Sequence, residues 1–155
     1  EIPSLRYDVV HRLKAANPDL DIVINGGITS LDQAAKQLEH VDGVMLGREA
    51  YYNPYLLAHV DRAFYDPAAN VPPRAAIIDR LLPYLQQETA AGTPLAAMTR
   101  HIIGLYHGLP GARRWRRTLS EQVHAPGTGI EIVEQALRFV EEDKNRTQST
   151  SALAA

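Results

Sequence analysis

Two short apolar segments of the sequence are each closed by glycine, a pattern suited to holding a phosphate group. Residues 22–24 are followed by Asn-Gly-Gly, and residues 44–46 are followed by Gly-Arg. Glycine lets a backbone approach a phosphate closely, and free backbone N–H groups bind its charge. The sequence therefore predicts a phosphate site whose residues are Asn25, Gly26, Gly27, Gly47 and Arg48.

The same glycines also have an ordinary structural explanation. Gly26 and Gly27 would make a tight turn between a strand and a helix, and Gly47 would allow close packing. Asn25 would either hydrogen-bond a ligand or cap the strand. The presence of two such motifs, separated by one strand–helix unit, favours a phosphate site over a purely structural role of the glycines. The residues alone leave both explanations open.

A second group of residues points to a polyanion. Residues 89–120 contain no acidic side chain, and their basic residues are Arg100, Arg113, Arg114, Arg116 and Arg117. Spacings of three and four residues place Arg113, Arg116 and Arg117 on one helical face. Guanidinium groups bind phosphates and stack on unpaired bases. We interpret this face as an RNA-binding surface, with Arg100 as a weaker candidate; the alternative is a solvated basic helix face. In either case we assign Trp115 to the core.

Composition narrows the remaining classes of function. The 155 residues carry a formal net charge of −2 and include no Cys, which excludes disulfides and thiolate nucleophiles within this chain. The histidines lack metal-ligand spacing, so we predict no metal site. No apolar stretch reaches the roughly 20 residues of a membrane span, and we expect a cytoplasmic protein with no membrane partner. No residue of this chain is assigned a catalytic role.

The elements that would position the glycines follow the order helix, strand, helix, strand. An amphipathic helix is predicted over residues 4–16, and Ser30 with Gln33 would cap the helix between the strands. Both strands are apolar without alternation, which is typical of parallel strands covered on both faces. Two strands do not make a stable sheet, so the pattern predicts part of a larger α/β domain.

The rest of the sequence is helical in pattern. Residues 66–73 are rich in proline and small residues, and we interpret them as a domain boundary. Helices are predicted around residues 77–85, from Thr93 to near Gly108, from Pro110, and from Thr128. Residues 144–155 are polar and small, so we expect a disordered tail.

Three motifs together resemble a known family. They are Asp21-Ile-Val-Ile-Asn-Gly-Gly-Ile28, Val41-Asp-Gly-Val-Met-Leu-Gly-Arg48 with Tyr52-Asn-Pro-Tyr55, and Gly108-Leu-Pro-Gly-Ala-Arg-Arg-Trp-Arg-Arg117. The glycine motifs are shared by many FMN-binding barrels, whereas the arginine motif is more specific. The chain resembles the tRNA-dihydrouridine synthases, in particular their A-type bacterial branch, from about residue 1 to residue 143.

The resemblance implies a fold and an activity. The fold would be α/β: the C-terminal part of a (β/α)8 TIM barrel over residues 1–66, then an all-α helical tRNA-binding domain over residues 67–143, then the tail at 144–155. The activity would be FMN-dependent reduction of a D-loop uridine of tRNA, in the position 20 region, to 5,6-dihydrouridine, with NADPH as reductant. Asn25, Gly26, Gly27, Gly47 and Arg48 match positions that hold the FMN phosphate, and Arg113 and Arg116 match positions that orient tRNA.

The resemblance also implies a Cys that protonates the base, and this chain has none. A TIM barrel normally takes about 250 residues. We therefore expect this chain to be part of a longer protein and to be inactive by itself. We also expect the full-length protein to be monomeric. Two alternatives stay open: another FMN- or phosphate-binding barrel oxidoreductase acting on a small metabolite, which leaves the arginines unexplained, and a non-catalytic RNA-binding module, which leaves the two strands unexplained.

Overall fold

The computed structural model describes residues 4–125 and 127–153. Within these residues the chain forms two compact units. The first unit runs up to Tyr51 and adds Leu56–Ala69, and the second comprises Tyr52–Tyr55 with the residues from Asn70 onward. The sequence predicts a boundary between residues 66 and 67; in the structure the division lies three residues later, and the short segment 52–55 belongs to the second unit.

The first unit is built around one strand–helix–strand arrangement. Its elements are α1 (Tyr7–Ala16), β1 (Val23–Asn25), α2 (Leu31–Leu38), β2 (Gly43–Met45), most of α3 (Arg48–Tyr52), most of a 3-10 segment (Pro54–His59) and α4 (Val60–Phe64). The end of α3 and the start of the 3-10 segment fall in Tyr52–Tyr55, which belongs to the second unit. The two strands pair in parallel, with Val23 opposite Gly43 and Asn25 opposite Met45. The order of elements up to β2 is as predicted from the hydrophobic pattern, with strand bounds that differ by one residue.

Local hydrogen bonds fix where α2 and the strands begin. The Ser30 hydroxyl accepts from the backbone N–H of Gln33 at 3.1 Å, and the Gln33 side chain accepts from the backbone N–H of Thr29 at 2.8 Å, so the predicted cap is present. The Asp42 carboxylate accepts from the backbone N–H of Ile22 and from Lys14, both at 2.8 Å. These two contacts lower the pKa of Asp42, the Ile22 contact having the larger effect.

The two faces of the sheet differ in burial, which the sequence did not predict. Ile24 is 2% exposed and packs with Ala34, Val41 and Tyr7 on the face covered by α1 and α2. Val23 and Met45 lie on the opposite face and are 61% and 47% exposed. An apolar strand without alternation indicates cover on both faces, but the helices that the structure describes cover only one.

The second unit contains only helical segments among its described residues from Asn70 onward. These are α5 (Arg74–Ala90), α6 (Leu95–Thr99), a 3-10 segment (Ile103–Tyr106), α7 (Ala112–Glu121), a 3-10 segment (Gln122–His124) and α8 (Glu131–Leu153). Its core is formed by side chains from all four α-helices and both 3-10 segments, including Ile78, Leu85, Leu95, Leu105, Trp115, Leu119, Val123 and Val133. The prediction that Trp115 belongs to the core is confirmed, since it is 0% exposed.

The helix predicted from Thr93 to Gly108 is interrupted after α6. The Ile102 carbonyl accepts a hydrogen bond from the Trp115 indole at 3.1 Å, and the Leu105 carbonyl accepts from Arg74 Nε at 2.7 Å. A Cβ on Gly104 would lie 2.1 Å from the Tyr52 carbonyl oxygen, so the backbone itself packs tightly there. Tertiary hydrogen bonds and close backbone contact replace a continuous helix, and neither is visible in the local pattern.

The last helix also differs from prediction. The polar and small residues of 144–153 predict disorder, but α8 continues to Leu153. A helix that is already nucleated extends at little cost, because each further residue adds a hydrogen bond for the conformational freedom it loses. Residues 154 and 155 of the predicted tail lie outside the described residues.

Candidate functional site

The two glycine loops leave the sheet at the same edge. Because β1 and β2 are parallel and Asn25 lies opposite Met45, the chain continues from that edge into Gly26-Gly27 and into Leu46-Gly47. The sheet register thus brings the predicted residues Asn25, Gly26, Gly27, Gly47 and Arg48 to one side of the first unit. Functional loops of parallel α/β folds lie at this carboxyl edge of the strands.

Gly26 and Gly27 are required by the turn itself. Their φ angles are +124° and +62°, which L side chains rarely adopt. A Cβ on Gly27 would also lie 2.8 Å from Leu5 Cδ1, and the Tyr7 hydroxyl donates a hydrogen bond to the Gly26 carbonyl. The tight-turn explanation therefore holds for these two glycines, whether or not they also contact a ligand.

Gly47 differs from this pair. It has no positive φ, and a Cβ at this position would have Met45 Sδ as its nearest neighbour at 3.6 Å, an ordinary van der Waals contact. Packing among the described residues therefore does not require glycine at this position. The neighbouring Arg48 is exposed, and its side chain has no hydrogen bond or ion pair with the described part of the chain. A small residue beside an unpaired cation leaves room for an anionic group at this edge.

A small cavity is lined by Gly27 but by none of the other predicted phosphate residues. Its volume is about 170 Å³, and its lining includes Tyr7, Gln33 and Lys36 from the two helices that flank the loop. Asn25, Gly47 and Arg48 are not part of its lining. The cavity is therefore a second feature of the loop region, and Lys36 is a cation there that the sequence patterns did not single out.

The four arginines of α7 have different surroundings. Arg113 and Arg116 are exposed and have no hydrogen bond or ion pair with the described residues. Arg114 contacts Asp143 at 3.1 Å and Glu142 at 3.4 Å, and its guanidinium lies 3.9 Å from the centroid of the Phe139 ring. Arg114 therefore holds α7 against α8, whereas Arg113 and Arg116 remain available to an external anion.

Arg117 is not equivalent to Arg113 and Arg116. Its Nε contacts the Glu121 carboxylate at 3.0 Å, one helical turn further along α7. The argument that this helical face has no nearby carboxylate is thus wrong for Arg117, because the acid-free segment ends one residue before Glu121. The i, i+4 spacing in the sequence was the available signal. Arg100, the weaker candidate, is exposed and its Nε lies 3.3 Å from His101 Nε2.

Neither a metal centre nor a membrane span is found in the parts of the chain described at side-chain level. Residues 4–125 and 127–146 contain no group of three or more His, Asp or Glu side chains arranged to hold a metal ion. None of the described helices is both long and apolar enough to cross a membrane.

Comparison with known proteins gives the family. The model of the dihydrouridine synthase (Dus) family matches residues 1–141. The chain belongs to this family. Membership implies a TIM barrel, to which the two adjacent parallel strands of the first unit would belong, while the chain as a whole is mostly helical. The matched region contains both the glycine loops and the arginine helix.

Several curated relatives are similar over most of the chain. The tRNA-dihydrouridine(20/20a) synthase of Shewanella oneidensis is 53% identical over 143 residues, which cover 92% of this chain and 43% of the relative. The enzyme of the same name from Vibrio cholerae is 50% identical over 137 residues, covering 88% and 42%. That of Escherichia coli K12 is 47% identical over 140 residues, covering 90% and 41%. The chain thus spans less than half the length of these Dus relatives.

Proposed function

We propose that this chain forms the FMN-phosphate edge and the tRNA-binding helical part of a tRNA-dihydrouridine synthase, and that the substrate is a D-loop uridine of tRNA. The observation that carries the proposal is the Dus family match over residues 1–141, which includes both groups of residues. The names of the relatives specify tRNA and positions 20 and 20a, in agreement with the A-type branch. A tRNA substrate is also the basis for proposing a cytoplasmic protein.

The residues at the strand edge fit a phosphate. Gly47 leaves open space, Arg48 supplies a guanidinium that has no partner in the described part of the chain, and Asn25 is exposed at the same edge. These residues would hold the FMN phosphate, with Gly26 and Gly27 shaping the adjoining turn. When bound, FMN supplies hydride transfer to the uridine ring and is itself reduced by NADPH. The contribution of this chain is to anchor the cofactor through its phosphate, a charge-assisted contact that also fixes position.

The arginine helix supplies the second half of the proposal. Arg113 and Arg116, one turn apart and without partners in the described chain, would bind tRNA phosphates and help to orient the RNA. Arg117 would contribute less, because tRNA has to compete with Glu121 for its guanidinium. Neither the small-metabolite oxidoreductase nor the free-standing RNA-binding module explains both groups of residues. The family match supports the synthase over these alternatives because it spans both.

The proton donor that the resemblance implies is a Cys, and this chain has none. We therefore expect no dihydrouridine from the 155-residue chain incubated with NADPH and unmodified tRNA. A chimaera in which this chain replaces the matched segment of the Shewanella oneidensis relative should contain flavin and form dihydrouridine, with the unaltered relative as the positive control. A folded chimaera that binds flavin but neither binds nor modifies tRNA would contradict the proposed function.

A further inference from the structure

A cavity of about 420 Å³ in the second unit is not explained by the cofactor edge or by the arginine face of α7. It is lined by Arg74 at the start of α5, by Tyr106, by Leu109 and Pro110, and by Lys144 on α8, among others. Its volume falls within the range of roughly 300–1,000 Å³ that is usual for small-molecule sites. The polar groups around it indicate the chemistry that it can bind.

The N-terminus of α5 faces this cavity without a cap. Pro73, Arg74 and Ala75 all line the cavity, and the N-cap residue Pro73 makes no side-chain hydrogen bond. The first turn of this 17-residue helix contains no acidic residue. Its unbonded backbone N–H groups and the positive end of the helix dipole therefore favour an anion at this position.

Arg74 is held in place with part of its guanidinium unused. Its Nε donates to the Leu105 carbonyl at 2.7 Å, and its guanidinium carbon lies 3.5 Å from the centroid of the Tyr55 ring. The Tyr55 ring is itself fixed, since its hydroxyl donates to the Pro72 carbonyl at 3.0 Å. The two terminal amino groups of Arg74 have no hydrogen bond or ion pair within the described chain. They form a rigid, preorganised donor pair for an anion.

Tyr106 is a buried residue whose hydroxyl has no hydrogen-bond partner among the residues that the structure describes. It is 5% exposed and lines the cavity, and its ring packs 4.8 Å from the ring of Trp115. Its hydroxyl makes no hydrogen bond with the residues that the structure describes. Burial, reinforced by the nearby Glu141 carboxylate, raises the pKa of Tyr106 to about 12. The hydroxyl is protonated at neutral pH and able to donate a hydrogen bond to a ligand in the cavity.

The remaining residues that line the cavity suit a ligand that has both a charged group and a planar ring. Lys144 and Glu141 are exposed, lie three residues apart on α8 and border the cavity. Leu109, Pro110 and Val140 give it an apolar side. The cavity thus combines phosphate donors, an apolar wall and one carboxylate that can accept hydrogen bonds from the N–H groups of a base.

We propose that this cavity binds a ribonucleotide, with its phosphate on Arg74, Lys144 and the N-terminus of α5 and its base against the wall formed by Leu109, Pro110 and Val140. The Tyr106 hydroxyl donates to the same ligand. If the ligand is an unpaired nucleotide of bound tRNA, the cavity is a second contact with the RNA, and this form of the inference rests on the proposed function. A free mononucleotide has the same chemistry, and the experiment distinguishes the two sources.

The first experiment uses the 155-residue chain and the four ribonucleoside monophosphates, with inorganic phosphate as a second probe. Calorimetric titration measures the affinity. The fluorescence of Trp115, the only Trp of the sequence, reports whether the ligand binds in this cavity, because the Trp115 ring packs on Tyr106. Lys144→Ala and Tyr106→Phe should each weaken the binding of at least one mononucleotide by about tenfold, because each removes one phosphate or ribose contact. Arg138→Ala, which removes an exposed cation of α8 that does not line the cavity, should leave it unchanged.

The absence of mononucleotide binding at millimolar concentration would overturn the proposal, and so would equal affinity in all three variants. A parallel titration with tRNA identifies the source of the ligand. If Lys144→Ala and Tyr106→Phe also weaken tRNA binding and mononucleotides compete with tRNA, the ligand is a tRNA nucleotide; if tRNA binding is unchanged, it is a free nucleotide. Failure of the proposed function is tested separately. It would be indicated if Arg113→Ala and Arg116→Ala both left tRNA affinity unaltered.

Discussion

The guanidinium of Arg114 lies 3.1 Å from the carboxylate of Asp143, so a residue of the arginine-rich helix is committed to packing against α8. Arg114→Ala would remove this ion pair and the contact with the Phe139 ring. We expect it to lower the free energy of unfolding by about 1 kcal/mol. Arg113→Ala, at the adjacent position whose side chain has no partner among the described residues, is the matched control and should change stability by less than about 0.5 kcal/mol. Urea denaturation followed by circular dichroism measures both; equal losses would contradict the distinction between them.

Arg113→Ala and Arg116→Ala should weaken tRNA binding by the 155-residue chain. Each removes a phosphate contact, so we expect a loss of about 1–3 kcal/mol and a salt dependence flatter by about one unit of log–log slope. Arg117→Ala should have a smaller effect because Glu121 already engages that side chain. Binding titrations at several salt concentrations measure both quantities. Should Arg117→Ala match or exceed the other two, the assignment of the free arginines would be wrong.

Gly47→Val tests the phosphate edge more cleanly than a substitution in the Gly26-Gly27 turn. The fold has room for a side chain at Gly47, whereas Gly27 has a φ of +62° and a Cβ there would meet Leu5. In the chimaeric enzyme, Gly47→Val should purify with little flavin because its side chain occupies the space of the phosphate, and its melting temperature should match that of the flavin-free parent. Gly27→Ala should lower that melting temperature as well. Stoichiometric flavin in a folded Gly47→Val chimaera would show that the phosphate binds elsewhere.

Gly111 and Gly108 form a matched pair for testing the contact between α7 and α8. Both have positive φ, +81° and +76°, but a Cβ on Gly111 would lie 2.7 Å from Val140 Cα while one on Gly108 would meet nothing within 4 Å. Gly108→Ala should cost about 1 kcal/mol from backbone strain alone, and Gly111→Ala at least about 2 kcal/mol more because α8 must shift. Chemical denaturation of the two variants gives the difference. Equal costs would mean that the two helices separate easily at this point.

Local patterns predicted those features that depend on local physics. The apolar runs before Gly26 and Gly47 indicated the two strands, and the helix predicted from Pro110 corresponds to α7, on which Trp115 is buried. The break after α6 was not predictable, because it depends on hydrogen bonds from Trp115 and Arg74, residues distant in sequence from the carbonyls they bind. For the same reason no sequence motif predicts the cavity beside Arg74, because its lining residues come from separate segments of the chain and meet only in the folded unit.

The segment Tyr52–Tyr55 is separated in sequence from the rest of the helical unit, and this restricts how that unit can be exchanged between relatives. A transplanted piece that begins at Asn70 would leave behind the Tyr55 ring that supports Arg74 and the Tyr52 backbone that packs on Gly104. Recombination at residue 52 would keep both contacts but would separate Leu56–Ala69 from the rest of the first unit, whereas recombination in the proline-rich stretch at 66–73 would form both contacts between residues of two different parents. The stretch that the sequence indicates as a domain boundary therefore does not separate the two units cleanly, because the segments Tyr52–Tyr55 and Leu56–Ala69 alternate between them along the chain.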